Sequence, residues 1–167
     1  GRKEKQPFSI ITIGRLIKSK GMDLCIKAFA LVSDSYPDAR FQILGDGPER
    51  KNLERLTAQL GLSERVIFRG HVSMEEVAAE LAASDVFLFM SYKERLPNVV
   101  KEAMLNKALC IVSETPGIEE LIQDGQTGFI LGKNSPEEAA KKIRRIFSER
   151  AEAELIRASA YDFVLGR

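Results

Sequence analysis

Phe8-Ser-Ile-Ile-Thr-Ile13, the loop Gly14-Arg-Leu-Ile-Lys-Ser-Lys-Gly21 and the amphipathic run from Met22 to Ser35 decide the fold. The first is apolar and of strand length, and the last carries apolar residues at helical spacing, so a strand leads through a short loop into a helix. The unit recurs. Arg40-Phe-Gln-Ile-Leu44 precedes a helix over Glu49 to Leu60, and Val66-Ile-Phe68 precedes one over Met74 to Ala83. Asp85-Val-Phe-Leu-Phe-Met90, Leu109-Cys-Ile-Val112 and Gly128-Phe-Ile-Leu131 continue the series, separated by helices from Pro97 to Asn106 and from Gly117 to Ile122. Alternating strands and helices require right-handed crossovers and a parallel sheet covered on both faces, which is why the strands are apolar rather than alternating. The expected fold is α/β, a doubly wound and mainly parallel six-stranded sheet. A helix from Pro136 to Ser148 follows, and the Ala-rich tail from Glu149 reads as a helix with no obvious partner.

The 167 residues, 44% of them hydrophobic, are expected to form a single domain over 1–167 with one substantial core. Lys and Arg (25) nearly balance Asp and Glu (24), so no overall field draws the chain to nucleic acid or an anionic membrane. Any phosphate must therefore meet a local cluster. Cys25 and Cys110 lie in apolar runs without metal-ligand spacing and read as buried, reduced thiols of a cytoplasmic protein. No apolar stretch reaches the ~20 residues of a membrane span. The start Gly1-Arg-Lys-Glu-Lys-Gln-Pro7 lacks a signal-peptide core and reads as a cut upstream of a domain.

In doubly wound sheets ligands bind where the chain leaves the carboxyl ends of the strands. After the first strand, Gly14, Arg15 and Lys20 share one loop ending at a helix start. A forked guanidinium, a point-charge ammonium and a helix end suit a diphosphate, while a solvated basic loop is the alternative. Gly45-Asp-Gly47-Pro48 follows the second strand and permits a tight turn, but it does not continue to GxGxxG, which counts against a dinucleotide fingerprint. Arg69-Gly70-His71-Val72 follows the third and offers backbone groups to the edge of a flat base. His71 is the only histidine, which excludes triads built on a second one, and a structural or solvent-facing role is the simpler reading. GxxxxGK is absent, which disfavours a P-loop.

The strongest constellation is Ser91-Tyr-Lys-Glu94-Arg-Leu-Pro97-Asn98-Val99-Val-Lys-Glu102-Ala-Met104. Proline suits a first helical turn, which places Glu94 in the loop and Glu102 about one and a half turns inside the helix. Two pure acceptors facing one crevice hold vicinal sugar hydroxyls, while N–H groups near Asn98 and Val99 point at an anion. An exposed helix with ordinary acidic residues is the alternative.

These two glutamates with seven residues between them resemble the signature of family 4 glycosyltransferases. The order of Gly14-Arg15, Lys20-Gly21, Gly45-Asp-Gly47-Pro48, Val66-x-Phe68-x-Gly70, Gly117-x-x-Glu120-Leu-Ile and Asp124-Gly-x-x-Gly128-Phe is similar to theirs. The resemblance implies the C-terminal donor domain of a two-domain GT-B enzyme that retains anomeric configuration and needs no metal or other cofactor. It implies that Arg15, Lys20 and Gly14 bind the donor diphosphate with Gly47 nearby, and that Glu94 serves the transferred sugar as the catalytic residue. Glu102 would hold the ribose, the backbone at Asn98 and Val99 the phosphates or sugar, and that at Val72 the base. The implied partners are a UDP-, GDP- or ADP-sugar, an N-terminal domain absent from this chain, and a glycan or lipid-linked acceptor that would bring the full enzyme to the cytoplasmic membrane face. Arg95 stands where the family usually has glycine and would narrow or recharge the sugar pocket. Leu105-Asn-Lys107-Ala-Leu109 replaces an Ala-x-Gly-x-Pro stretch, and Pro116-Gly117 a glycine pair.

A non-catalytic nucleotide-sugar or interaction module of the same fold is the alternative of another class. Lys141, Lys142, Arg144 and Arg145 offer either a contact with anionic lipid or a solvated face paired with Glu137 and Glu138 four residues earlier.

Overall fold

The computed structural model describes residues 7–93 and 98–166. Six parallel strands, β1 (Ser9–Ile13), β2 (Arg40–Leu44), β3 (Val66–Gly70), β4 (Val86–Phe89), β5 (Leu109–Ser113) and β6 (Phe129–Leu131), lie in the order β3-β2-β1-β4-β5-β6. The chain winds outward from β1 in both directions, so the switch point lies between β1 and β4, where Ile10 faces Val86 and Ile11 faces Phe87.

Successive residues of each strand serve opposite faces. Ile10, Val86, Leu88, Leu109 and Ile111 pack into one apolar cluster, whereas Ile11, Phe87, Phe89, Cys110 and Val112 pack into the other. The helices α1 (Met22–Ser33), α2 (Arg50–Gln59) and α5 (Pro136–Ser148) cover the first face; α3 (Met74–Ala82) and α4 (Asn98–Leu105) cover the second. Both faces being dry explains why the strands read as unbroken apolar runs. Ser73 and Ser135 cap α3 and α5, their hydroxyls accepting from the N–H of Glu76 and Glu138.

Three expectations are corrected. The tail from Glu149 does have partners: α6 (Arg150–Leu165) places Ala153 and Ile156 in the first cluster and Ala160 and Val164 in the second. The helix thus passes from one face to the other, and the Arg157 guanidinium donates to the Asp85 carbonyl at 2.9 Å at the amino edge of the sheet. The segment Gly117 to Ile122 is not an α-helix. Only Ile118–Glu120 turn, as a 3-10 element behind a left-handed Gly117, because one turn cannot repay the cost of helix nucleation. The first helix ends at Ser33 rather than Ser35, and other ends shift by one or two residues. No described helix is long and apolar enough to cross a membrane.

Candidate functional site

The loops after β1 and β2 form one backbone unit. Gly14 N–H donates to Leu44 O at 3.0 Å, Leu16 N–H to Asp46 O at 3.0 Å and Glu49 N–H to Leu16 O at 2.9 Å. Gly47 sits inside this seam: a side-chain carbon there would lie 2.6 Å from Leu16 O, and its own N–H already donates to Asp46 Oδ1 at 2.8 Å. The structure thus gives Gly47 a packing role between the two loops, with its N–H engaged.

Arg15 stands exposed on this unit, and its guanidinium makes no hydrogen bond or ion pair with a described residue. Lys20 closes the 3-10 turn Lys18–Lys20, and its Cδ passes 3.8 Å from where a side chain on Gly14 would begin. That is an ordinary contact distance, so the backbone φ of 155°, rather than lack of space, is what favours glycine at 14. Gly21, which follows Lys20, has φ 64°, and any side chain there would run into the Met90 carbonyl at the end of β4. Close approach at Gly21 lets the Ser19 carbonyl accept the Tyr92 N–H at 2.8 Å, bringing the β1 loop against the β4 loop.

On the other side of the switch point, Asn98 opens α4 and is exposed, Val99 is half-buried and Glu102 is exposed. The Glu102 carboxylate has no hydrogen bond or ion pair with a described residue; only its backbone carbonyl is engaged, by Asn106. Val72 and Val99 pack with Ile13 against the same apolar cluster, so the backbone candidates for the base and for the phosphate or sugar share the α3–α4 face of the carboxyl edge. Glu94, Arg95 and Pro97 lie outside the described residues. His71 is exposed.

One hollow borders this arrangement and another lies away from it. One of 290 Å³ lies beside Lys18, Asp23, Asn52 and Tyr92 on the α1–α2 side of the loops. Desolvation and the charge of Asp23 raise the Tyr92 phenol above its ordinary value. A larger one of 870 Å³ opens at the opposite, amino edge, beside Asp85, Lys107, Arg157 and Tyr161. Size does not decide here, since in doubly wound sheets the carboxyl edge is where free N–H groups and strand-end loops meet a ligand.

The basic residues of α5 are engaged within the protein. Arg144 donates to Leu31 O at 2.8 Å, Arg145 pairs with Glu152 of α6 at 2.7 Å, and Lys141 pairs with Glu138 at 3.3 Å. That last pairing spans three residues rather than the expected four. Lys142 Nζ lies 5.2 Å from the centre of the Phe129 ring.

Residues 1–163 match the family described as glycosyl transferases group 1. The chain belongs to this glycosyltransferase family. It is 29% identical over 140 residues to an alpha-D-kanosaminyltransferase of Streptomyces kanamyceticus, covering 84% of this chain and 36% of that protein. The crystal structure of the C-terminal domain of the group 1 glycosyltransferase LpcC from Francisella tularensis aligns over 98% of this chain and 88% of that one, with a TM-score of 0.88 and 27% identity. HepE of Anabaena in complex with UDP and glucose aligns over 96% of this chain and 44% of that one, with a TM-score of 0.89 and 26% identity. The glycosyltransferase domain thus spans about a third of the length of the curated relatives it matches.

The sequence missed what fastens this candidate site. Tyr92 and the serines at 19, 91 and 113 make the bonds between loops, and lone serines at strand ends carry no spacing signal. The sole hint was a polar residue closing an otherwise apolar strand, as Ser113 does.

Proposed function

We propose that this domain is the donor-binding half of a retaining family 4 glycosyltransferase. It would transfer a sugar from a UDP-, GDP- or ADP-sugar to a glycan or lipid-linked acceptor, without a metal. The observation that carries this reading is the opposition, across the β1/β4 switch point, of the cations Arg15 and Lys20 to the start of α4 with its uncommitted Glu102 carboxylate. UDP in the complexes of HepE favours a UDP-sugar among the three.

In this reading Arg15 and Lys20 take the phosphate charge that grows as the sugar–phosphate bond breaks, helped by the N–H groups at Asn98 and Val99. Glu102 accepts from the ribose hydroxyls, the backbone at Val72 meets the base, and Glu94 binds the transferred sugar where positive charge develops. Gly14 and Gly47 shape the phosphate loop. The acceptor-side wall would come from an N-terminal domain, consistent with the fraction of its relatives that this chain spans. The cations of α5 are not proposed as a membrane contact, because their bonds are made within the domain.

Calorimetry with UDP, GDP and ADP, each with and without an attached sugar, tests this directly. One diphosphate should bind well above the others, and the isolated chain should transfer little or no sugar. Absence of binding by all three would reject the donor site; robust transfer by this chain alone would reject its being only half of an enzyme.

A further inference from the structure

All of β5 is buried and its first four residues are apolar, but Ser113, 3% exposed, closes it with a hydroxyl. Its Oγ donates to the Ser91 carbonyl at 2.6 Å. Ser91, 1% exposed, donates its own Oγ to the Ser19 carbonyl at 3.2 Å, the oxygen that also accepts the Tyr92 N–H. A line of polar contacts therefore runs from the end of β5 through the β4 loop to the residue before Lys20. One residue upstream, the Met90 carbonyl accepts Asn134 Nδ2 at 3.0 Å from the turn between β6 and α5. Asn134 Oδ1 is buried and makes no hydrogen bond, alone in this among the buried side-chain oxygens and nitrogens of the described residues.

Such groups are costly to bury. Alanine at 113 would continue the apolar strand without a hydroxyl to desolvate, and an apolar residue at 134 would leave no orphaned oxygen. What the polar side chains add is a fixed direction for the backbone from Met90 to Tyr92, which runs on toward Glu94, and for the turn that carries Lys20.

We infer that Ser113 and Asn134 are positioning residues for the donor site, holding the β4 loop and, through Ser91 and Ser19, the Lys20 turn at one spacing across the β1/β4 switch point. The inference rests on the donor-binding reading. Neither residue would touch the donor; both act through the loops that do.

Two measurements on this chain test it, native-state hydrogen exchange by NMR and calorimetry with UDP. In Ser113→Ala the Tyr92 amide should exchange about tenfold faster, relative to the Phe41 amide on distant β2, than in the wild type. Ser113→Thr, which keeps the Oγ, should restore the ratio. UDP should bind Ser113→Ala about fivefold more weakly, the equivalent of one lost hydrogen bond. On a Lys20→Ala background the same change should cost nothing further, because its effect passes through Lys20. Asn134→Ala should likewise raise the Tyr92 ratio and weaken UDP binding. Equal acceleration at Tyr92 and Phe41, or additive losses in the Ser113→Ala, Lys20→Ala double variant, would overturn the inference and leave Ser113 a contributor to general stability. If the wild-type chain binds neither UDP nor GDP nor ADP, the donor reading falls and the positioning role with it, while the exchange ratio still decides whether Ser113 holds the turn.

Discussion

The Tyr92 N–H donates to the Ser19 carbonyl across 2.8 Å, joining the loop that leaves β4 to the turn that ends in Lys20. A phosphate-binding cation on a fastened turn loses little freedom when the ligand arrives. Arg15→Ala and Lys20→Ala should each weaken nucleoside diphosphate binding by about 1.5 to 3 kcal/mol, the range of charge-assisted bonds. Calorimetry reads this directly, and unchanged affinity in both variants would remove the phosphate assignment.

Glu102 gives a separable prediction. Its exposed carboxylate is uncommitted among the described residues, so it is available to vicinal ribose hydroxyls. Glu102→Gln should weaken nucleoside diphosphate binding, and the wild type should bind 2′- or 3′-deoxyribose analogues less tightly than the ribose form. Equal affinity for deoxy and ribose ligands would show that Glu102 is no ribose clamp.

Much of this site was legible because the fold leaves its chemistry at strand ends. Apolar runs that cannot face water placed β1 to β6, and glycines and cations clustered after Ile13 and Leu44 marked the carboxyl edge. What escaped the sequence has physical causes. The buried stripe of α6 is made of Ala153, Ile156, Ala160 and Val164, small or branched residues divided between two faces, so no single apolar side announces a partner. Gly47 read as part of a tight turn, and the packing role that its seam with Leu16 adds joins loops far apart in sequence, which no local spacing reveals. The placement of Glu94 lies outside the described residues.

Lys107 has φ 62°, the only positive φ on a non-glycine among the described residues. It ends α4 in a left-handed cap: its N–H donates to Met104 O and the Ala108 N–H to Ala103 O, a pattern that favours glycine. Its Nζ lies 4.7 Å from the centre of the Tyr161 ring, which offsets part of the strain. Alanine would lose that contact and keep the strain, whereas glycine would lose both. Lys107→Gly should therefore be more stable than Lys107→Ala by about 1 kcal/mol, the usual left-handed penalty. Denaturant titration measures the difference, and equal stabilities would show that the backbone here is not strained.

The two thiols make stability depend on alkaline pH. Burial pushes Cys25 from 9.0 up to about 12, with hydrogen bonds from the Met90 backbone and the Thr12 side chain only partly offsetting it, and burial raises Cys110 as well. A native thiol that holds its proton more tightly than the unfolded one contributes stability that is complete below pH 9. That stability is lost as pH rises from 9 toward the native value, because only the unfolded chain releases the proton. Between pH 8 and 10 each thiol should cost the fold on the order of 1 kcal/mol. Denaturant midpoints under reducing conditions would show this as a steeper fall in the wild type than in a Cys25→Ala, Cys110→Ala double variant, which removes these two titrations and leaves the lysines and tyrosines. Parallel pH profiles would mean that the thiols ionise in the folded chain. Rapid labelling of the native protein by a thiol reagent at pH 8, faster than it unfolds, would reveal the same ionisation through kinetics.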